Sequence, residues 1–186
     1  MLDLKQEKEI IKQIKKGNKE AFGQLYDTYA PKIYRFIRLK VDSQENAQDL
    51  TAETFLRIWD FLNKKRKIKE RFQSLLYKIA RNLIVDFYRS RTVKEFLIDD
   101  IFEEVARIED DQKSDELVLK QEEIKELRNA LIRINPNYQD IIIWYYVDEL
   151  SISEIAEILN KKEGTVRVLI HRAVNALKRV MLTEEN

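Results

Sequence analysis

The sequence predicts an all-α fold: two small helical domains joined by an acidic linker, the C-terminal one carrying a helix-turn-helix. Three observations predict it. Only three glycines and two prolines occur in 186 residues, and 36% charged with 44% hydrophobic residues suits amphipathic helices better than a turn-rich β fold. Apolar residues recur at three- and four-residue spacing along most of the chain. The charge is also segregated. Residues 1–91 hold 21 Lys/Arg and 12 Asp/Glu, residues 92–123 hold 4 and 12, and residues 124–186 hold 9 and 9, so balances of +9, −8 and 0 sum to the net +1.

The elements follow in order. Residues 5–16 form an amphipathic helix with Ile10, Ile11 and Ile14 on one side, and Gly17 closes it. Asn18 suits an N-cap for a helix through Tyr29. Pro31 suits the first turn of a third helix reaching about Lys40. Ser43 caps a long fourth helix whose inner face holds Ala47, Leu50, Phe55, Ile58 and Leu62. The basic run KKRKIKER (64–71) is a connection, and a further helix starts near Arg71 with Phe72, Leu76, Ile79, Leu83 and Phe87 on its core stripe. Residues 92–123 are acidic and weakly periodic, which reads as a tether. A helix from Glu123 to Ile134 stops at Asn135–Pro136, and Asn135 caps the next one through Val147. Ser151 and Glu154 have capping-box spacing and open a short helix ending near Asn160. The last helix is EGTVRVLIHRAVNALKRV (163–180). The predicted domains are therefore 1–91 and 124–186, with 92–123 between them.

Composition narrows the function. There is no cysteine and one histidine, so disulfides, thiolate sites and His-based metal sites are excluded, and no cofactor or metal is expected. The N-terminal MLDLKQEKEI carries no apolar signal region, and the longest apolar run, Ile141–Val147, is too short to span a bilayer. The expectation is a soluble, cytoplasmic protein without membrane insertion. Asp49, Glu53, Arg57 and Asp60 line up at near-helical spacing, but no histidine or third carboxylate in register supports an acid–base or metal role. A polar protein-binding face fits them better.

Short helix, tight turn, longer basic helix is helix-turn-helix order. Ala156 is small where two helices would cross, Asn160 tolerates the left-handed turn conformation, and Val166 packs back on the first helix. Leu169, Ile170, Ala173, Val174 and Leu177 continue the buried stripe. The opposite face presents Thr165, Arg167, Val168, His171, Arg172 and Asn175. An arginine there suits guanine O6 and N7, and a valine methyl suits the thymine methyl. Gly164, Thr165, Val166 and Val168 are weak helix formers, so base contact rather than helix stability explains their choice. The alternative is a solvated basic helix in a bundle.

RFQSLLYKIARNLIVDFYRSR (71–91) carries a second polar surface. One face holds Lys78, Asn82, Asp86 and Arg89, and another holds Tyr77, Arg81 and Tyr88. Aromatic rings interleaved with basic and amide side chains suit stacking on single-stranded or flipped bases. An ordinary amphipathic helix with a wet face is the other reading.

Together these stretches resemble the extracytoplasmic-function sigma factors of bacterial RNA polymerase, from about Ala21 to Lys178. AQDLTAETFLRIW is similar to that family's polymerase-binding motif, LLYKIARNLIVDFYRSR to its −10 recognition helix, and LSISEIAEILNKKEGTVRVLIHRAVNAL to its −35 reader. The resemblance implies that the face with Asp49, Glu53, Leu56, Arg57 and Asp60 binds the clamp helices of the largest polymerase subunit. It implies that Tyr77, Lys78, Arg81, Asn82, Asp86, Tyr88 and Arg89 serve −10 recognition, with Asn82 and Tyr77 near the pocket for a flipped base. It further implies that the C-terminal domain docks on the β flap. There Arg167, Val168, His171 and Arg172 read the −35 element, and Lys161, Lys162 and Thr165 contact phosphates. An anti-sigma partner is implied, and a small-molecule substrate is not. Leu75 stands where the family usually has tryptophan, and Asn135–Pro136 where it has Leu-Pro. A stand-alone helix-turn-helix regulator with a helical sensor or dimerisation domain is the alternative. An enzyme needs clustered acids, histidines or cysteines that the chain does not offer.

Overall fold

A computed structural model describes residues 4–64, 68, 70–95 and 129–182, and every described element is helical. The chain splits into two compact units, the first built on residues 1–100 and the second on most of 101–186. Of the acidic stretch 92–123, residues 92–95 are helical, while 96–123 and the predicted start of the helix at Glu123 lie outside the described residues.

The first unit packs four helices: α1 (Leu4–Lys15), α2 (Lys19–Arg38), α3 (Gln44–Asn63) and α4 (Phe72–Glu95). Their ends are set by short-range hydrogen bonds. Gly17 has φ 95°. Its N–H donates to the Ile14 carbonyl at 2.8 Å and that of Asn18 to Gln13 at 3.1 Å, the paired bonds of a Schellman stop. Asn18 Oδ1 accepts from the Glu20 and Ala21 amides at 3.0 and 3.2 Å. Ser43 Oγ accepts from the Asn46 amide at 3.0 Å. Each such cap is worth about 1 kcal/mol.

Two expectations change here. Pro31 does not start a helix; it lies inside α2, which runs unbroken to Arg38. The buried side chains Ala21, Leu25, Tyr29, Ile33, Phe36 and Ile37 form one stripe across it. Each buried apolar side chain contributes roughly 1.5–3 kcal/mol, so that stripe together outweighs a proline penalty of about 3 kcal/mol. The second change is in α4. Phe72, Leu76 and Leu83 are buried as expected, but Ile79 and Phe87 are half-buried, while Tyr77, Ala80 and Ile84 join the core. On α3 Leu50 is half-buried and Thr51 and Thr54 are buried, each returning its hydroxyl hydrogen to the carbonyl four residues back. The unit's centre is aromatic: Tyr29 meets Phe72 at 5.5 Å and Phe36 meets Tyr77 edge-on at 5.4 Å. Glu7, buried on α1, accepts the Tyr29 hydroxyl hydrogen, which ties α1 to α2.

The second unit contains helical residues 129–133 (α5), then α6 (Pro136–Ile142), α7 (Ile152–Leu159) and α8 (Glu163–Leu182). Asn135 Oδ1 caps α6 through the Asn137 amide at 2.9 Å. Gln139, turned inward, donates to the carbonyls of Ile132 and Ile134, both at 3.1 Å, and so closes the end of α5. The predicted continuation of α6 to Val147 is not α-helical: Ile143–Val147 form a π turn, and Asp148 N–H donates to the Ile143 carbonyl at 2.8 Å. The wider turn leaves Trp144 fully buried and Tyr146 and Val147 exposed.

Candidate nucleic-acid interface

The turn between α7 and α8 is built from its backbone outward. The capping box forms: the Ser151 amide donates to Glu154 Oε2 at 2.9 Å and the Glu154 amide to Ser151 Oγ at 3.3 Å. At the other end Asn160 takes φ 52°. There the Lys161 amide reaches the Ala156 carbonyl at 2.9 Å and that of Asn160 the Glu157 carbonyl at 3.3 Å. This is the same stop that Gly17 makes, with asparagine tolerating the left-handed region. Helix α8 then restarts at Glu163 after two residues. Val166 and Ala173 are buried, and Leu169, Ile170, Val174 and Leu177 are half-buried among the described residues.

That anchoring turns one face of α8 outward. Lys161, Lys162, Thr165, Arg167, Val168, His171, Arg172 and Asn175 are all exposed, Val168 by 50%. The His171 ring lies 3.2 Å from Asn175 Nδ2, and Arg167 Nη2 donates to Glu163 Oε2 at 3.2 Å. Two lysines, two arginines, a histidine and an exposed valine on one edge make a surface of the right chemistry for a major groove.

On α4 the expected residues separate. Asn82, Asp86, Tyr88 and Arg89 are exposed, and Arg89 pairs with Asp86 at 3.1 Å. Lys78 is half-buried and bonded to Glu70, and Arg81 is half-buried. Tyr88 is 42% exposed and its hydroxyl donates to the Lys40 carbonyl at 2.5 Å. Tyr77 is 0% exposed, packed on Phe36, so it presents no ring face to a base in this structure. Its expected place near the pocket for a flipped base is therefore a core position beneath that surface. Tyr77 and Leu76 are both buried because α4 is covered by α2 and α3 together, a wider contact than one stripe supplies.

On α3, Asp49, Leu56, Arg57 and Asp60 are exposed and Glu53 is half-buried. Leu56 is 60% exposed, beside a Glu53–Arg57 pair at 2.7 Å. Next to this face an open groove of about 430 Å³ runs between α2 and α3, lined by Tyr26, Asp27, Pro31, Tyr34, Gln48 and Ala52 among others. The sequence does not reveal it while Pro31 reads as a helix start. With α2 continuous, Tyr26, Ala30 and Tyr34 fall at i, i+4 and i+8 on one side, and that spacing is the signal. Among the described residues no three His, Cys, Asp or Glu are grouped to hold a metal ion, and no helix is long and apolar enough to cross a membrane.

A helical unit with an outward acidic-and-leucine face, in a chain that also carries a helix-turn-helix with a basic outer edge, has the make-up of a DNA-reading transcription protein. The comparisons make it specific. Residues 25–93 match the Sigma-70 region 2 model and residues 124–177 the Sigma-70 region 4 model. The chain is 32% identical to ECF RNA polymerase sigma factor SigW of Bacillus subtilis, over 92% of this chain and 95% of SigW. It is 32% identical to ECF RNA polymerase sigma factor BldN of Streptomyces coelicolor, over 93% of this chain and 65% of BldN. Its fold is similar to that of the sigma factor RpoE from Bartonella quintana, solved with the anti-sigma factor NepR (TM-score 0.67, 21% identity, 86% of this chain and 96% of that one). The chain belongs to the ECF RNA polymerase sigma factors, a family of transcription initiation factors.

Proposed function

We infer that this chain binds core RNA polymerase and directs initiation at specific promoters, reading the −10 element with residues 1–91 and the −35 element with residues 124–186. The acidic stretch 92–123 joins them. The observation that carries this reading is the pairing, in one chain and in order, of a region 2 match ending at residue 93 and a region 4 match starting at residue 124. Exposed Asp49, Leu56, Arg57 and Asp60, with half-buried Glu53 among them, supply the polymerase face. Lys78, Arg81, Asn82, Asp86, Tyr88 and Arg89 serve the −10 strand, with Tyr77 supporting them from the core. Arg167, Val168, His171 and Arg172 read the −35 bases, while Lys161, Lys162 and Thr165 hold phosphates.

Mechanistically, two modest DNA contacts fixed on one enzyme act together through effective concentration. Strand opening is driven by trapping extruded bases, which offsets an unstacking cost of a few kcal/mol. The polymerase supplies the chemistry, so the chain itself catalyses no reaction and works in the cytoplasm where the polymerase is. An anti-sigma factor as a further partner is supported by the family and by the RpoE–NepR pair. Co-purification of the chain with bacterial core polymerase, followed by run-off transcription, tests the reading. Stable association and a defined start site are expected. Tight, sequence-specific DNA binding with no affinity for polymerase would instead establish a stand-alone regulator.

A further inference from the structure

The ion pair at the start of α8 has no role in the reading above. Glu163 is 50% exposed and sits one turn before Arg167, whose guanidinium it holds at 3.2 Å. As a helix stabiliser an exposed i,i+4 pair is minor, changing a local equilibrium by about twofold. As a negative charge on a surface meant for a polyanion, it opposes binding. Its first-turn place complements the helix dipole, as any acid there would, so what calls for a further explanation is its hold on Arg167.

Arg167 supplies it. A guanidinium has five N–H donors in a planar fork. Glu163 engages one, at Nη2, and leaves enough of the fork for a two-bond approach to guanine O6 and N7. Left untethered beside a phosphate backbone, the same side chain is drawn to the nearest phosphate, a contact that positions but does not specify. Exposed Lys161 and Lys162 already stand at the turn for that task. We propose that Glu163 is a positioning residue for base reading: its carboxylate holds the Arg167 guanidinium off the phosphates and presents it to a base edge. The inference rests on α8 being the −35 reader.

The test uses the full chain with bacterial core polymerase and a promoter library randomised across the −35 element, scored by transcription. Salt dependence of binding to random-sequence duplex is measured alongside. For the wild-type chain a defined upstream preference is expected. Arg167→Ala flattens it at one position, and Glu163→Gln flattens the same position about fivefold. Glu163→Gln also steepens the log–log salt dependence by about one. The double variant matches Arg167→Ala. Glu163→Gln with the wild-type preference and salt slope, whatever its effect on total transcription or unfolding, makes the pair a helix contact only and overturns the proposal. An undiminished preference in Arg167→Ala overturns it too. No preference from the wild-type chain defeats the −35 reading itself, and the inference falls with it.

Discussion

The Tyr88 hydroxyl donates to the Lys40 carbonyl oxygen at 2.5 Å, joining the outer end of α4 to the turn after α2 across 48 residues of chain. Tyr88 thereby ties the polar side of α4 to the turn between α2 and α3. Tyr88→Phe keeps the ring and removes the bond, so it should cost about 0.5–1.5 kcal/mol in urea unfolding. An unchanged midpoint would mean that water replaces the bond without loss.

Pro31 makes the opposite prediction. It is exposed in the interior of α2, where it removes an N–H from the helical ladder. Pro31→Ala should stabilise the chain by about 1–2 kcal/mol, the restored bond being partly offset by a looser unfolded state. A lower denaturation midpoint in this variant refutes the account of α2 as a helix held together against its proline.

Asn160 carries the turn at φ 52°. Asn160→Gly should change stability by no more than a few tenths of a kcal/mol, because glycine adopts that conformation freely. Asn160→Val should cost about 1–2 kcal/mol and weaken promoter binding, since a β-branched residue resists the left-handed region. Equal stability of the two variants contradicts the assignment of the turn.

Leu56, 60% exposed, has no folding reason to be apolar. Leu56→Ala should leave the unfolding midpoint within about 0.5 kcal/mol of wild type. It should weaken core-polymerase association roughly tenfold, the loss of one apolar anchor at an interface. Titration of labelled chain with core polymerase checks this, and wild-type affinity removes Leu56 from the docking face.

Tyr77 and Asn82 allow packing to be separated from the proposed recognition on one helix. Tyr77→Ala should destabilise the chain by about 3–5 kcal/mol, as large aromatic truncations in a core do. Asn82→Ala should leave stability within about 0.5 kcal/mol yet slow open-complex formation. If Tyr77→Ala folds as stably as wild type while losing promoter opening, Tyr77 belongs with the base-contacting residues after all.

The sequence by itself determined the helix ends that are held by local caps. Gly17, Asn18, Ser43, Asn135, the Ser151–Glu154 box and Asn160 all act through hydrogen bonds or backbone angles within a few residues of themselves. The outward edge of α8 was legible for the same reason, because a helix period and one anchored valine fix which side faces out. Tertiary structure decided the rest. It put Pro31 inside a helix, turned Tyr77 inward in place of Ile79, and ended α6 in a π turn. Those choices depend on what arrives from distant parts of the chain to cover each helix, and no local spacing encodes the breadth of that cover.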